Sequence, residues 1–255
     1  MFRSSTTMLL AVLWMTASNA LAQAPPTPPL FFREDWSGNP APRNCVNLHD
    51  AKCEPALTQA AIANPNLELK VYGAGKPRIE DGEVLGAVLI QGAGLFTGMA
   101  EQSYAVTFRD KRNYVDLSGL GRIRWELRAS GLNVVHPIVR LADGTWLLGE
   151  HADGGNQFER HTFEHTVSEQ RWIRLDIGKV MTLGPRQTEP VDRAKANILE
   201  REFAAARGVW LESRQVDLTK VDVVGFADLM RGSGHGYGGY IGMGAIEVYG
   251  KPVPR

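Results

Sequence analysis

Arg124, Arg140, Trp146, Trp172, Asp228, His235 and Tyr237 are the residues of this chain whose types and spacing could do chemistry. An indole beside guanidinium and carboxylate groups can hold a sugar: the ring covers the C–H face while the charged groups reach the hydroxyls. In residues 171–177 the apolar set Ile173, Leu175 and Ile177 predicts a core side. Trp172, Arg174 and Asp176 then share the opposite face with Arg124, Glu126 and Arg128. The bland reading of that face is a solvated surface laced with ion pairs. Arg140, Trp146 and Glu150 belong to one hairpin, where Trp146 alternates with Thr145 and Leu147, so core packing and ligand contact both remain open. Residues 232–240 set His235, Tyr237 and Tyr240 in a glycine frame, which lets backbone approach a ligand closely and also suits a plain hairpin connection.

Other chemistries find less. His161 and His165 have the i, i+4 spacing of a helical zinc pair, but no Glu follows the first His and the surroundings read as strand or loop. There is no G-x-S-x-G and no phosphate loop. Carboxylate pairs for glycoside hydrolysis are defined by separation in space and cannot be assigned from sequence. Cys45 and Cys53 share one Asn/Asp/Pro-rich loop. A disulfide closing that loop is the natural reading for an exported chain, and a site built from Cys45, His49, Asp50 and Cys53 is the alternative.

The elements that position these residues are strands. From Ile123 the chain alternates, with Ile123, Trp125, Leu127 and Ala129 on one side and Arg122, Arg124, Glu126 and Arg128 on the other. Period 2 with one apolar face is the pattern of an antiparallel sheet with one face in the core. Residues 216–226 repeat the segment at 115–125 as V-D-L-[S/T]-x-[L/V]-x-x-[I/V]-x-[W/F]. Laid on the first copy, Phe226 matches Trp125 and Asp228 matches Leu127, a core position. Burying a lone carboxylate is costly, so either a bulge shifts the register at Asp228 or a partner such as an arginine holds it.

Further strands are predicted at 30–36, 67–72, 104–108, 171–177 and 245–249. A hairpin is predicted over 138–148, with Asp143-Gly144 as its type I′ turn. Residues 191–207 carry apolar positions at helical spacing, with Pro190 before and Gly208 after, and predict one inserted α-helix. Nine or ten short strands without βαβ alternation predict an all-β antiparallel β-sandwich of jelly-roll type.

Arg3, the apolar run 8–15 and the small-x-small site Ala20-Leu-Ala22 predict a Sec-type signal peptide over 1–22. A Pro-rich linker at 23–30 and a single sandwich domain over 31–255 follow. The expected location is periplasmic or extracellular, with no integral membrane segment after cleavage. Basic and acidic residues balance at 28 each, with no basic block, which argues against nucleic acid as partner.

The segments 115–129, 141–144 (Leu-Ala-Asp-Gly), 172–177, 216–226 and 246–250 (Ile-Glu-Val-Tyr-Gly) together resemble secreted carbohydrate-binding modules and related galactose-binding-like jelly rolls. The resemblance implies a sandwich and a carbohydrate or glycan as partner. Such modules often hold a structural calcium ion through an acidic pair before the last strand. Gly244-Ala245 stands there, which leaves Glu34, Asp35 and Glu247 as the oxygens available and makes calcium doubtful, so no cofactor is expected. The expected function is non-catalytic carbohydrate binding. The alternatives are a polysaccharide lyase or glycoside hydrolase on the same scaffold, with Asp228, Glu126 or Glu150 as acid or base, or a structural or assembly protein of the cell envelope.

Overall fold

The computed structural model describes residues 27–38, 57–73, 78–85, 88–96, 103–130, 133–154, 159–182, 210–229 and 240–255. The predicted signal peptide, the Cys45–Cys53 loop, the 191–207 helix, and His235 and Tyr237 lie outside the described residues, as does half of the 23–30 linker. In chain order the strands are β1 (Leu30–Glu34), β2 (Leu67–Gly73), β3 (Arg78–Leu85), β4 (Val88–Phe96), β5 (Tyr104–Asp110) and β6 (Asn113–Asp116). Next come β7 (Arg122–Ser130), β8 (Val134–Leu141), β9 (Trp146–Gly149), β10 (Asp153–Gly154), β11 (His161–Thr166) and β12 (Trp172–Asp176). The last are β13 (Met181–Thr182), β14 (Val221–Asp228), β15 (Tyr240–Tyr249) and β16 (Lys251–Pro254).

Two antiparallel sheets result. One runs β11-β7-β15-β4-β3 with β1 also on β15; the other runs β13-β12-β9-β8-β14-β5-β2, with β10, β6 and β16 attached. Hairpin neighbours (β3-β4, β8-β9, β12-β13) alternate with neighbours distant in sequence such as β7-β15, β14-β8 and β5-β14, as in a jelly roll. The described chain is an all-β sandwich of that type.

The repeated segments are the axis of the fold. Their strands, β7 and β14, lie one in each sheet. Trp125 and Phe226, equivalent in the two copies, meet across the sandwich with ring centroids 6.4 Å apart and planes at 68°. The Val-Asp-Leu-Ser/Thr turns before them share one local geometry. Asp116 Oδ1 accepts the N–H and O–H of Ser118 at 2.9 and 2.6 Å, and Asp217 Oδ1 accepts those of Thr219 at 3.0 and 2.5 Å. A short acidic side chain that satisfies backbone two residues on is an Asx turn, which fixes where each strand starts. The two turns also touch, because Leu117 N–H donates to Leu218 O at 2.9 Å.

Three expectations are corrected. Trp172 is not on a wet face; it is fully buried in the core between the sheets, while Ile173 and Leu175 join a second apolar cluster on the far side of their sheet. That side is apolar because Val180 is buried in the same cluster and Ile177 and Trp210 pack against it, so β12 is buried on both faces and alternation cannot reveal its orientation. The 138–148 hairpin forms, but only Gly144 of its turn has positive φ (89°), and Leu141 O accepts the Gly144 N–H at 3.0 Å. This is a three-residue connection ending in a left-handed glycine rather than a type I′ pair. Of the two readings of Asp228, the bulge is not found there: β14 pairs with β5 in unbroken register from Val224↔Phe108 to Asp228↔Tyr104, and the shift against β8 falls between Val221 and Val223. Asp222 is the extra residue.

Gly225 marks where β14 and β5 approach most closely. A Cβ there would lie 2.1 Å from Val106 O and 2.8 Å from Thr107 Cα, both backbone atoms that cannot rotate away. Gly225→Ala is therefore expected to destabilise by at least about 1–3 kcal/mol, the usual cost of overpacking, read from urea denaturation midpoints. Phe226→Ala, which empties the partner side of Trp125, is expected to cost about 3–5 kcal/mol in the same measurement.

Candidate functional site

The outer face of the sheet containing β14 carries the second apolar cluster, with Ala105, Ile138, Leu148 and Ala227 buried and Tyr72 and Trp146 partly buried against them. Register sets its rows: Lys70↔Thr107↔Gly225↔Ile138↔Leu148 is one, with Tyr72↔Ala105↔Ala227 on one side and Val223↔Arg140↔Trp146 on the other. Tyr72 and Trp146 stand on strands separated by β5, β14 and β8, about 19 Å apart in a flat sheet at ~4.8 Å per strand. Their ring centroids are 5.7 Å apart, edge to face. The sheet is thus curled enough for the two rings to meet above a floor of small residues, with Gly225 among them.

Cations extend this aromatic bridge at both ends. Lys70 Nζ lies 4.9 Å from the centroid of the Tyr72 ring, and the Arg140 guanidinium carbon lies 5.5 Å from that of Trp146. Asp222, pushed outward by the bulge, anchors the polar end. Its Oδ2 accepts from Arg140 Nη2, and its Oδ1 accepts from Arg109 Nε at 3.1 Å and from Arg255 Nη1. Burial alone would raise the Asp222 carboxyl, but hydrogen bonds from Arg255, Arg140 and Arg109 outweigh it and hold it below the usual carboxylate range.

Of the residues singled out from sequence, the structure brings Arg140 and Trp146 together here and separates the others. Arg124 is on β7, in the opposite sheet, so the expected common face of Trp172, Arg124, Glu126 and Arg128 does not form. Arg124 sits in the row Arg33↔Glu247↔Arg124↔Glu164 across β1, β15, β7 and β11, 3.6 Å from Glu247. Alternating charge across neighbouring strands is the ion-paired surface that was its alternative reading. Arg128, expected beside it in water, is buried. Asp228 is buried on the core side of β14, at the strand end opposite the Asp222 cluster.

The oxygens considered for calcium are engaged in the protein. The buried Glu34 carboxylate accepts N–H groups from Asp35, Trp36, Ala63 and Asn64 at 2.8–3.1 Å, and Glu247 pairs with Arg33 and Arg124. No group of three or more His, Cys, Asp or Glu among the described residues is disposed to hold a metal ion. No helix among them is long and apolar enough to cross a membrane.

A second polar cluster opens beside β11. His165 Nε2 lies 2.5 Å from Asp153 Oδ2, which also accepts the Trp125 indole N–H at 2.7 Å. His151 stacks on His165 at 6.0 Å, and a cavity of about 280 Å³ is lined by these groups with Glu164 and Glu169. Neither His is helical, so the His161–His165 spacing has no zinc geometry: on β11 both point to the same side of the strand, His161 exposed and His165 buried.

Sequence reasoning missed Lys70, Tyr72, Arg109 and Asp222. The first two were legible as the outward set of 67–72, alternating with Leu69 and Val71. Asp222 left one trace, the Val223-Val224 pair that breaks the alternation of its strand.

No protein-family description and no curated protein matches the chain. Among solved structures it is similar to the family 11 carbohydrate-binding module of the cellulosomal cellulase Lic26A-Cel5E of Clostridium thermocellum. The identity is 14%, the TM-score 0.37, and 72% of this chain and 88% of that chain are covered. It is also similar to the family 11 module from Clostridium thermocellum in complex with a β-1,3-1,4-mixed-linked tetrasaccharide, at 14% identity, TM-score 0.39, and coverage of 79% and 98%. Likeness at this level concerns architecture alone.

Because the Asp222 pKa is depressed by folding, its contribution to stability is complete above the unfolded value of about 3.9 and is lost as pH falls through the lowered folded value. Urea midpoints measured from about pH 5 down to about pH 2 are expected to fall more steeply for the native chain than for Asp222→Asn. Asp153→Ala, which strips the acceptor from the Trp125 indole and from His165, is expected to cost about 1–3 kcal/mol in urea unfolding at pH 7.

Proposed function

We propose that this protein is a secreted, non-catalytic carbohydrate-binding jelly roll, and that its saccharide lies on the outer face of the β14 sheet along Tyr72, Trp146 and Arg140. The observation that carries this reading is the partly buried Trp146, whose ring is braced by Tyr72 and by a guanidinium that Asp222 fixes in turn. A braced indole offers a rigid apolar plate to the C–H face of a sugar, with little side-chain entropy left to lose on binding. The hydrogen-bonding groups around it sit on strands rather than loops, so the surface is formed before the ligand arrives. The similarity to carbohydrate-binding modules supports the same class of ligand only as an analogy of fold. Export follows from the signal-like segment 1–22 and is part of the proposal.

A glycan array probed with the full chain tests the reading, followed by incubation with every hit. Binding is expected, with no new reducing or unsaturated ends. Trp146→Ala is expected to weaken the best hit by at least about tenfold (1.4 kcal/mol) while leaving the thermal midpoint within a few degrees. Cleavage of a hit would replace the binding reading with an enzymatic one. An array without hits would remove both.

A further inference from the structure

The polar end of this face has committed its buried carboxylate, Asp222, and kept unspent N–H donors. Asp222 is filled: Oδ1 takes Arg109 and Arg255, and Oδ2 takes Arg140. Arg255 is mostly engaged as well, since its Nε and Nη2 donate to Asp110 O and Nη2 also donates to Asp222 O. The other cations are not. Arg140 spends Nη2 on Asp222, and its Nε and Nη1 have no acceptor among the described residues. Arg109 spends Nε on Asp222 and Nη1 on Glu68, at 3.5 Å, which leaves Nη2. Lys70 is exposed and rests against Tyr72, with no carboxylate paired to it among the described residues.

Charge points the same way. Three guanidiniums converge on one carboxylate, and Lys70 offsets Glu68, so this end of the face carries excess positive charge in a chain whose total is zero. The opposite sheet provides the internal control. There each of Arg33, Arg122 and Arg124 lies within 4 Å of a carboxylate, from Asp35, Glu164 or Glu247. Neutral sugars present hydroxyls that both donate and accept, and a site built for them keeps carboxylates or amide oxygens free to accept. A site with unspent N–H donors and surplus positive charge suits a ligand that brings its own acceptors and negative charge.

We infer that this face binds an acidic polysaccharide, whose carboxylates meet Arg140, Arg109 and Lys70 while its sugar rings lie on Trp146 and Tyr72. The inference rests on the carbohydrate-binding reading above and narrows it to polyuronates. The row Lys70, Tyr72, Trp146, Arg140 places a cation at each end of an aromatic pair, with neighbours 4.9, 5.7 and 5.5 Å apart. This order fits a chain of uronate residues, in which an apolar ring face and a carboxylate recur along the polymer.

The test uses matched ligands. Polygalacturonate and polymannuronate are each compared with the same polymer after its carboxyl groups have been reduced to primary alcohols, by affinity electrophoresis and calorimetry with the full chain. At least about tenfold tighter binding of an unreduced polymer is expected, weakening as salt rises to about 0.5 M. Lys70→Ala, at an exposed position with no hydrogen bond to lose, is expected to weaken polyuronate binding about threefold or more with an unchanged thermal midpoint. Arg140→Gln is expected to weaken it further. Equal binding of the reduced and unreduced polymers, or binding insensitive to both salt and Lys70→Ala, would overturn the acidic-ligand inference and leave carbohydrate binding standing. Failure to bind either polyuronate, with neutral glycans bound on the array, would overturn it in the same way. Silence toward every glycan would remove both readings.

Discussion

The contact between Trp125 and Phe226 is the constraint on which the rest of the sandwich depends. Each ring is presented by a central strand of a different sheet, and each strand is started by the same Asx-turn device. Because the turns are themselves hydrogen-bonded through Leu117 and Leu218, the rings cannot slide past one another along the strands. Period-2 geometry then propagates the registration, since a slip of one residue would turn every core side chain of that strand to water. Trp125 also exports the constraint. Its indole N–H is satisfied by Asp153, which in turn holds His165, so the polar cluster beside β11 is positioned from the centre of the core.

The two outer faces diverge from this common core for local reasons. On the β7 sheet, residues of alternating sign fall opposite one another across four strands, and the surface is a ladder of weak, mutually compensating pairs. On the β14 sheet, one extra residue at Asp222 displaces a carboxylate outward, and three arginines gather on it. Gly225 allows β5 and β14 to approach, and the curl of the sheet brings Tyr72 over to Trp146. A bulge and a glycine thus distinguish two faces built of similar residue types.

How far the sequence could be read follows from the same physics. The strand at 122–130 was legible because it buries one face and wets most of the other, so its pattern reports its orientation directly. Trp172 was misread because its strand is buried on both sides, and the apolar residues that normally mark the core instead face a second cluster. Arg124 and Trp172 were placed on one face because alternation specifies a side of a strand and carries no information about which sheet the strand joins. Asp228 was rightly placed on the core side of its strand, but the irregularity sought there lies six residues earlier, at Asp222.

What the sequence by itself determined was local: strand spans, the shared turn-and-strand segments, the hairpin around Gly144, and from these an antiparallel sandwich. These features depend on backbone preference and on nearest-neighbour alternation, both of which are written in a few consecutive residues. Strand order, the curvature that joins Tyr72 to Trp146, and the gathering of Arg109, Arg140 and Arg255 on Asp222 were decided by tertiary structure. They bring together residues far apart in sequence, 113 positions for Arg109 and Asp222 and 145 for Asp110 and Arg255, and such pairings are selected by the packing of the whole core rather than by any local rule.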